Sequence, residues 1–557
     1  MIGRQSPRTA KPGASSDTKA LSAIARGGVA SLLGSGVSAV SGLVVVLVVT
    51  RFYTPSDAGA LFAATAVFLI TIAIVQLGTD QGLVRFVAAH RARGEHHELR
   101  RILRIGLLPV LGASLIGTLV LIGLAAPLAE LFDDGETDRV AQMLRVLALA
   151  VPIAAVHEAV LAATRGLGSL RSTIIVERIL RPLLQPLAIV AVAVLDLDAA
   201  SLAPAWVAPY LFAIVASVVA LRRTLRRVER EVGTPAAEPL DDVLLDDPVA
   251  GAATAPTDIA PGDITGTAPV ASDLPADVAP TRSLAREFWS FCAARAVARV
   301  CQVGLQRVDV ILVAALVGTS ATAVYAAATR FVAVGMLANQ AIQQVIQPRI
   351  AAMLARGENR LVQLVLKRTT VWIVALVWPG YLALAVLAPT LMLVFGSAYA
   401  AGAPSLAILA VSMLAASAAG PLDVALLMAG RSAISLLNTA VALAVDVIGC
   451  LLLLPSMGVT GAAVAWAAAI LVRNAMTIVQ TRRLLGLSAT SRELAQVSLI
   501  AALCCGLVPV PLAVAGAPAL AVVGALALGV VAYLLVLLRF RTRLGLGTRP
   551  DAVPATG

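Results

Sequence analysis

Residues 519–538 read ALAVVGALALGVVAYLLVLL, a run of twenty residues without a charged side chain. At about 1.5 Å per residue, a helix of this length spans about 30 Å, the thickness of the hydrocarbon core of a membrane. Of the 557 residues in the chain, 59% are hydrophobic and 13% are charged, whereas soluble domains carry about 25% charged residues. We therefore predict an integral membrane protein rather than a soluble fold.

Fourteen apolar stretches are long enough to cross a membrane as helices. We place them at residues 27–51, 57–79, 105–130, 141–164, 173–195 and 202–221, and then at 298–317, 321–345, 369–395, 403–428, 433–454, 459–480, 495–514 and 519–538. The predicted fold class is all-α and integral to the membrane. The first stretch is longer than the apolar core of a signal peptide and lacks a small-residue cleavage site, so we expect it to be retained.

Basic residues lie in the connections between the apolar stretches, and they favour alternate connections. The intervening connections are short and mostly uncharged or acidic, with Arg51 and Arg139 as isolated exceptions. Connections rich in Lys and Arg stay in the cytoplasm. The alternation predicts an even number of spans, two cytoplasmic termini and a location in the inner (plasma) membrane. It also accounts for the net charge of +11 without nucleic acid as a partner.

Residues 229–282 are rich in Pro, Ala, Thr, Gly and Asp and contain no aromatic residue. Such a segment buries too little apolar surface to offset its ordering entropy, so we predict a disordered cytoplasmic linker, with a regulatory docking segment as the alternative. The predicted organisation is an N-terminal tail (1–26), an N-lobe (27–222), the linker region (223–285), a C-lobe (286–482), spans thirteen and fourteen (483–540) and a C-terminal tail (541–557).

The sequences on the two sides of this linker are weakly similar to each other. Residues 59–65 (GALFAAT) align with 323–329 (AVYAAAT) at an offset of 264, and ARGE recurs at residues 92–95 and 355–358. Gly166 aligns with Gly430 at the same offset of 264. The matches predict two copies of a six-span unit in the same orientation, related by an axis along the membrane normal.

The chain carries no P-loop, no H-E-x-x-H motif and no G-x-S-x-G motif in a strand–turn–helix context. Its five cysteines lie in or beside apolar stretches, and no two C-x-x-C pairs complete a zinc site. We therefore predict no enzymatic activity, no catalytic residue, no metal site and no cofactor.

Three segments resemble a known group of transporters: RVDVIL at residues 307–312, VYAAATR at 324–330 and FVAAHRARGE at 86–95. Together with two six-span units and two extra spans, they resemble the oligosaccharide flippases of the multidrug/oligosaccharidyl-lipid/polysaccharide exporter superfamily, the Wzx-type and MurJ-like transporters. The resemblance implies a V-shaped pair of lobes around a central cationic cavity. The lobes would alternate between inward-open and outward-open states while a polyprenyl-pyrophosphate-linked saccharide crosses to the outer leaflet. Its implied partners are that lipid-linked saccharide, membrane lipids and polysaccharide assembly machinery.

Charged and amide residues inside the spans are the candidates for the cavity. A charge at the centre of a span costs about 2.5 to 3.5 kcal/mol on insertion scales, so function is the first explanation for it. In span seven, polar residues follow one another at intervals of 4, 3, 4 and 3 from residue 295 to 309, which puts them on one helix face. The residues predicted to line the cavity are Arg307, Asp309, Arg330, Arg299, Gln306, Gln340, Gln343, Arg178 and Arg181.

These residues also have structural explanations. Arg299 can snorkel to the headgroups, and Arg307, Asp309 and Arg330 can form an ion-pair network that locks spans seven and eight. The amides of span eight can form hydrogen bonds that hold neighbouring helices together, rather than bind sugar hydroxyls. Arg181 can pair with a glutamate one turn earlier on the same helix, at position 177.

Two further features of the spans stay open. His157 and Glu158, adjacent in span four, are either a proton relay or an internally satisfied polar pair. Asp423 and Asp446 can be ion sites in the second half, although nothing in their spacing singles them out.

Two other functions compete with the flippase. A cation-coupled multidrug exporter of the same superfamily is the alternative, but it would usually have twelve spans and an acidic residue in the first lobe, and span one has none. A membrane glycosyltransferase or polysaccharide polymerase would need a sizeable outer loop with catalytic residues, whereas the predicted outer loops are mostly shorter than about ten residues.

The topology can be tested with reporter fusions. We expect reporters at both termini and within residues 229–282 to give a cytoplasmic signal, because all three lie on the basic side of the predicted spans. A fusion to the connection at residues 196–199 serves as the control for the opposite side. A periplasmic signal from the linker would overturn both the span count and the parallel repeat.

Overall fold

The computed structural model describes residues 14–132, 137–169, 171–233 and 284–544. The side chains of residues 14–32, 229, 231–233, 338, 340, 341, 344, 345 and 348 lie outside this description. The described residues form helices and contain no β-strand. The predicted all-α fold is confirmed.

The helices before the linker form a group that we call the N-lobe. They are α1 (Ala14–Phe52), α2 (Pro55–Val75), α3 (Thr79–Ala92), α4 (His96–Gly123), α5 (Ala125–Leu131), α6 (Thr137–Gly166), α7 (Arg181–Val194) and α8 (Leu202–Gly233). A π-helical segment, Thr173–Leu180, leads directly into α7, and a short 3₁₀ turn, Ala199–Ser201, precedes α8.

The helices after the linker form the C-lobe and a C-terminal pair. The C-lobe comprises α9 (Leu284–Leu316), α10 (Thr319–Ala355), α11 (Asn359–Val386), α12 (Ala388–Leu393), α13 (Ala403–Ala418), α14 (Leu422–Met428), α15 (Ser432–Met457) and α16 (Val459–Leu485). The C-terminal pair consists of α17 (Arg492–Gly506), continued by the short α18 (Pro509–Val514), and α19 (Ala519–Phe540).

Twelve helical segments within the described residues are long and apolar enough to cross a membrane, and they correspond to twelve of the fourteen predicted spans. The other two predicted spans, five and seven, are helical as well, at Thr173–Val194 and in α9. Charged residues lie within the apolar part of both helices, Glu177, Arg178 and Arg181 in the first and Arg299, Arg307 and Asp309 in the second. These two polar helices hold six of the nine residues predicted to line the cavity.

The internal repeat is visible in the helix boundaries. α1 ends at Phe52 and α9 at Leu316, while α2 begins at Pro55 and α10 at Thr319, both at an offset of 264. Gly94 and Gly357, at an offset of 263, both adopt a positive φ just before the next long helix. The match of Gly166 with Gly430 is looser, because Gly430 has a positive φ whereas Gly166 lies in α6 against the α3 backbone.

The two copies of the repeat differ in the second span of the N-lobe. We predicted this span at residues 57–79, but α2 ends at Val75, and α3 starts at Thr79 after two residues with positive φ, Leu77 and Gly78. The 86–95 segment therefore belongs largely to α3 rather than to a loop. In the second copy, α10 runs without interruption from Thr319 to Ala355. Gly78 packs directly on the backbone of α9, where a Cβ would overlap Cys292 and Ala296.

Two predicted boundaries need correction. The linker region was expected to start at residue 223, but α8 continues to Gly233, and it packs into the core there through Leu225 and Val228. The N-terminal tail was expected to extend to residue 26, but α1 begins at Ala14. Amphipathic helix formers extend both helices beyond the apolar stretch, which hydropathy alone cannot detect. Residues 234–283, the rest of the predicted linker, lie outside the described residues.

The two lobes meet along α1 and α2 on one side and α9 and α10 on the other. We call the end of the bundle with residues 91–104, 165–171, 222–230 and 349–368 the basic end, and the other the opposite end. At the opposite end, Ser56 and Thr319 hydrogen-bond across the lobes at 2.9 Å, and Arg51 Nε donates to the Val394 carbonyl at 2.8 Å.

At the basic end, aromatic side chains join α3 to α9. The rings of Phe86 and Phe288 are 5.3 Å apart, and the Arg85 guanidinium lies 4.6 Å from the centre of the Phe291 ring. The lobes therefore contact each other at both ends of their interface.

The C-terminal pair is attached to the C-lobe through α11. Tyr533 donates a hydrogen bond to the carbonyl of Ala375 at 3.0 Å. The Gln363 side chain, at the basic end of α11, both donates to the carbonyl of Ser488 and accepts from its amide, each at 2.8 Å. A single amide thus fastens the connection between α16 and α17.

We expect Gln363→Ala to loosen this connection, because both backbone groups of Ser488 lose their partner. The free energy of unfolding should fall by about 1 to 3 kcal/mol. Thermal denaturation in detergent measures the effect, and Gln302→Ala, at an exposed amide of α9, is the matched control. Equal melting temperatures for the two variants would contradict the proposed clamp.

Candidate functional site

The C-lobe part of the candidate site is centred on Asp309 of α9. Asp309 is only 3% exposed, and its carboxylate accepts hydrogen bonds from Tyr325 Oη at 2.6 Å and from the Val310 amide at 2.8 Å. A hydrogen bond between Tyr325 and Asp309 therefore joins spans seven and eight. The sequence had left open an ion-pair network between these spans instead. The sequence placed Asp309 on one face with Gln306, but Gln306 is exposed.

A second buried carboxylate lies near the first one. Asp446 of α15 is 0% exposed and is close enough to Asp309 for the two charges to interact. Its Oδ1 is 3.9 Å from Cys450 Sγ, and its Oδ2 has no hydrogen-bond partner. Two neighbouring carboxylates with one unsatisfied oxygen can share a proton or hold a small cation.

The two predicted anion ligands, Arg307 and Arg330, lie on the neighbouring helices α9 and α10. They are close enough for their positive charges to interact. Arg330 Nε is buried without a hydrogen-bond partner. Within the described part of the chain, neither guanidinium forms a salt bridge with a carboxylate. Asp309 lies close enough to Arg307 to offset part of its charge, so the two guanidinium groups and this carboxylate together leave a net positive charge at this point of the C-lobe.

The N-lobe part of the site is a hydrogen-bonded network around Glu177. Its carboxylate pairs with Arg181 at 2.6 Å, as the i, i+4 spacing predicted, and is 2.9 Å from His157 Nε2. His157 Nδ1 is 3.2 Å from Ser217 Oγ. The Tyr210 ring lies under the Arg181 guanidinium at 4.9 Å. Arg181 is thus held by the protein, although Tyr210 also lies close to Arg307.

His157 and Glu158 do not pair with each other, although they are adjacent. Consecutive residues of a helix point in different directions, so each side chain finds a different partner. Glu158 accepts a hydrogen bond from Gln76 of α2 and lies 3.8 Å from Arg299 of α9. The pair Glu158–Arg299 therefore connects the two lobes.

Two of the remaining predicted residues have hydrogen-bond partners outside these clusters. Arg178 donates to Ser35 of α1 at 3.2 Å, and Gln343 donates to Asn339 on its own helix at 3.2 Å. The side chain of Gln340 lies outside the described residues. Asp423, which the sequence considered as an ion site, pairs with Arg473 at 3.2 Å.

The sequence did not reveal that Gln76, Tyr210 and Ser217 contact the charged residues of the candidate site. Tyr210 and Ser217 are single polar residues in an apolar stretch without a charged neighbour at helical spacing, and Gln76 lies at the end of an apolar stretch. Tyr325 was quoted within a motif, but its bond to Asp309 was not foreseen. Only the packing of distant helices reveals these partners.

Comparisons with known proteins agree with this fold. Residues 270–404 match the family described as polysaccharide biosynthesis protein, and residues 31–188 match the MatE family. No curated protein matches the sequence. The solved structures that it resembles include a lipid II flippase, MurJ, in an inward closed conformation, at a TM-score of 0.62 and 11% identity, covering 92% of this chain and 99% of that one.

Exporter structures resemble the chain as well. A multidrug resistance MATE family transporter in an inward-facing conformation superposes with a TM-score of 0.57 and 14% identity, covering 81% of this chain and 94% of that one. A transporter from Pyrococcus furiosus described as having a reversed polarity of its binding pocket gives a TM-score of 0.52 at 14% identity, with coverages of 83% and 95%.

The fold first defines a class, an integral membrane protein of helical lobes whose fold resembles that of these transporters. Each family model matches only part of the chain, and together with the solved structures they confirm the resemblance to the multidrug/oligosaccharidyl-lipid/polysaccharide exporter superfamily that was inferred from the sequence. The matched families are transporters rather than enzymes.

Proposed function

We propose that this chain flips a polyprenyl-pyrophosphate-linked saccharide from the cytoplasmic to the outer leaflet by alternating access, in the biosynthesis of a cell-surface polysaccharide or of the cell wall. The observation that carries the proposal is the pair Arg307 and Arg330, two neighbouring guanidinium groups that form no salt bridge with a carboxylate within the described residues.

Buried cations are costly unless an anion or water satisfies them. A pyrophosphate is a suitable anion, because the planar guanidinium offers paired donors that match phosphate oxygens. Asp309 lies close enough to Arg307 for their charges to attract each other, but a single carboxylate can balance only one of the two guanidinium groups. The two arginines are thus available to a substrate that brings its own negative charge.

Alternating access requires the contacts at the two ends of the lobe interface to open in turn. Substrate enters from the cytoplasm when the aromatic contact between Phe86 and Phe288 opens. It leaves toward the outer leaflet when the bond between Ser56 and Thr319 opens. The two contacts lie at opposite ends of the lobe interface, so each can open while the other stays closed. The similarity of the fold to a lipid II flippase supports a lipid-linked substrate.

A cation-coupled multidrug exporter is the second candidate. The observation that favours it is the pair of buried carboxylates, Asp309 and Asp446, together with the similarity of the fold to MATE transporters. The same carboxylates are compatible with a flippase that uses a proton or cation gradient. The two candidates therefore differ in their substrate rather than in the presence of this pair.

Transport in proteoliposomes distinguishes the candidates. We expect a fluorescent polyprenyl-pyrophosphate-linked saccharide to cross at least about tenfold faster than the same saccharide on a neutral polyprenyl ether, because only the pyrophosphate can form charge-assisted hydrogen bonds with the arginines. An impermeant reagent that quenches the outer leaflet measures the rate. Transport of a lipophilic cationic drug down an imposed cation gradient, without movement of the lipid, would favour the exporter instead.

A further inference from the structure

One contact between the lobes lies inside the bundle rather than at its ends. Glu158 of α6 faces Arg299 of α9 at 3.8 Å, and Gln76 of α2 donates a hydrogen bond to the same carboxylate oxygen. The three side chains come from both lobes, because α2 and α6 belong to the N-lobe and α9 to the C-lobe. We call them the inner latch.

The inner latch holds Arg299 only loosely. At 3.8 Å the two groups attract each other but are too far apart for a hydrogen bond, which needs about 2.7 to 3.2 Å. Arg299 Nε and Gln76 Oε1 are both buried, and neither has a hydrogen-bond partner among the described residues. The guanidinium therefore retains unused donors, and a phosphate oxygen at the usual distance would satisfy them better than Glu158 does.

The position of the inner latch relates it to the path of the substrate. Arg299 precedes Arg307 by eight residues on α9, which is about 12 Å toward the basic end. An anion that enters from this end reaches Arg299 before it reaches the pair Arg307 and Arg330. The latch is thus a positive group on the way to the proposed binding site, one turn further in than Arg295.

A tight packing contact closes the path between the inner latch and the basic end. Cys292 of α9 is 0% exposed, and its side chain occupies the place that a Cβ on Gly82 of α3 would need. Phe288 covers the same glycine from the next turn. Separation of α3 from α9 must expose Cys292, so this thiol reports on the opening of the lobes at the basic end.

We propose that Glu158 is an internal substitute for the anionic substrate: it holds Arg299 and keeps the lobes closed at the basic end until an anionic ligand takes Arg299 over and releases them. The inference rests on the proposed function in that the natural ligand is the pyrophosphate of the carrier. Glu158 acts through Arg299 and is a positioning residue, because it need not touch the substrate.

The reactivity of Cys292 tests the inner latch without any transport measurement. The protein keeps Cys292 as its single cysteine after Cys301→Ala, Cys450→Ala, Cys504→Ala and Cys505→Ala. It is labelled with a maleimide that reaches the basic end, in the presence and absence of inorganic pyrophosphate as the probe. Glu158→Gln removes the charge but keeps the hydrogen bond to Gln76, and Glu98→Gln, in a surface pair with Arg101, is the matched control.

We expect Glu158→Gln to raise the labelling rate about fivefold or more, since loss of a modest interaction shifts a two-state population by this factor. Pyrophosphate should raise the rate of the parent protein, but it should have little further effect on Glu158→Gln and none on Arg299→Gln. Glu98→Gln should behave like the parent. The exchanged double variant, Glu158→Arg with Arg299→Glu, should return to slow labelling without a response to pyrophosphate.

Parental labelling in Glu158→Gln, or no response of the parent protein to pyrophosphate, would overturn the inference. If Glu158→Gln does not accumulate, the labelling rate of the exchanged double variant is the test. Slow labelling of that variant supports the latch, and fast labelling refutes it. A normal labelling response combined with failure to flip any pyrophosphate-linked saccharide would instead refute the proposed substrate and leave the latch intact.

Discussion

We expect Arg330→Gln and Arg307→Gln each to reduce flipping by about 100-fold or more while leaving the protein at normal abundance in the membrane. Each guanidinium would offer two charge-assisted hydrogen bonds to the pyrophosphate, and glutamine offers neither the charge nor the fork. Lysine should restore activity only partly, because it keeps the charge and loses the paired donors. Flipping in proteoliposomes, normalised to reconstituted protein, measures the effect.

The matched control is Arg145→Gln, at an exposed arginine of α6, which we expect to retain parental activity. The opposite outcome is also well defined. If the Gln variants at positions 307 and 330 fail to accumulate, and Asp309→Asn restores them, then these arginines serve a structural ion pair. In that case the assignment of the binding site is wrong.

The second large effect is expected at Gly59 of α2. A Cβ at this position would overlap the backbone carbonyl of Thr319, at the start of α10 in the other lobe. Backbone cannot move aside like a side chain, so Gly59→Ala must push the lobes apart at the opposite end. Overpacking of this kind costs about 1 to 3 kcal/mol. We therefore expect the closed arrangement of this end to become at least about tenfold rarer and transport to fall in parallel.

A cross-link measures this population directly. Ser56→Cys with Thr319→Cys places two thiols where hydroxyl groups are now 2.9 Å apart, and oxidation should join them readily in the parent background. Adding Gly59→Ala should suppress the cross-link, whereas Gly42→Ala should not, because no atom lies within 4 Å of a Cβ at Gly42. Undiminished cross-linking in the Gly59→Ala background would show that the lobes do not close through this contact.

The sequence predicted the lobes better than the site. Charged residues in spans five and seven identified the polar helices correctly, and the pairing of Glu177 with Arg181 followed from their spacing. By contrast, an ion pair with an arginine was one of two open explanations for Asp309, and the hydrogen bond that Asp309 accepts from Tyr325, sixteen residues away on the next helix, was not foreseen. Spacing along one helix predicts which residues share a face, but it does not predict which neighbouring helix that face meets.

What the sequence by itself determined is the set of helices, their membrane-spanning length and the repeat of about 264 residues. These properties are local, because a helix in lipid satisfies its own backbone hydrogen bonds and needs only a sufficient apolar length. What only the tertiary structure decided is the break at Leu77 and Gly78 and the latch between Glu158 and Arg299. The break coincides with a close contact on α9, and the latch joins residues 141 positions apart, so both depend on how the lobes pack together rather than on any pattern within one span.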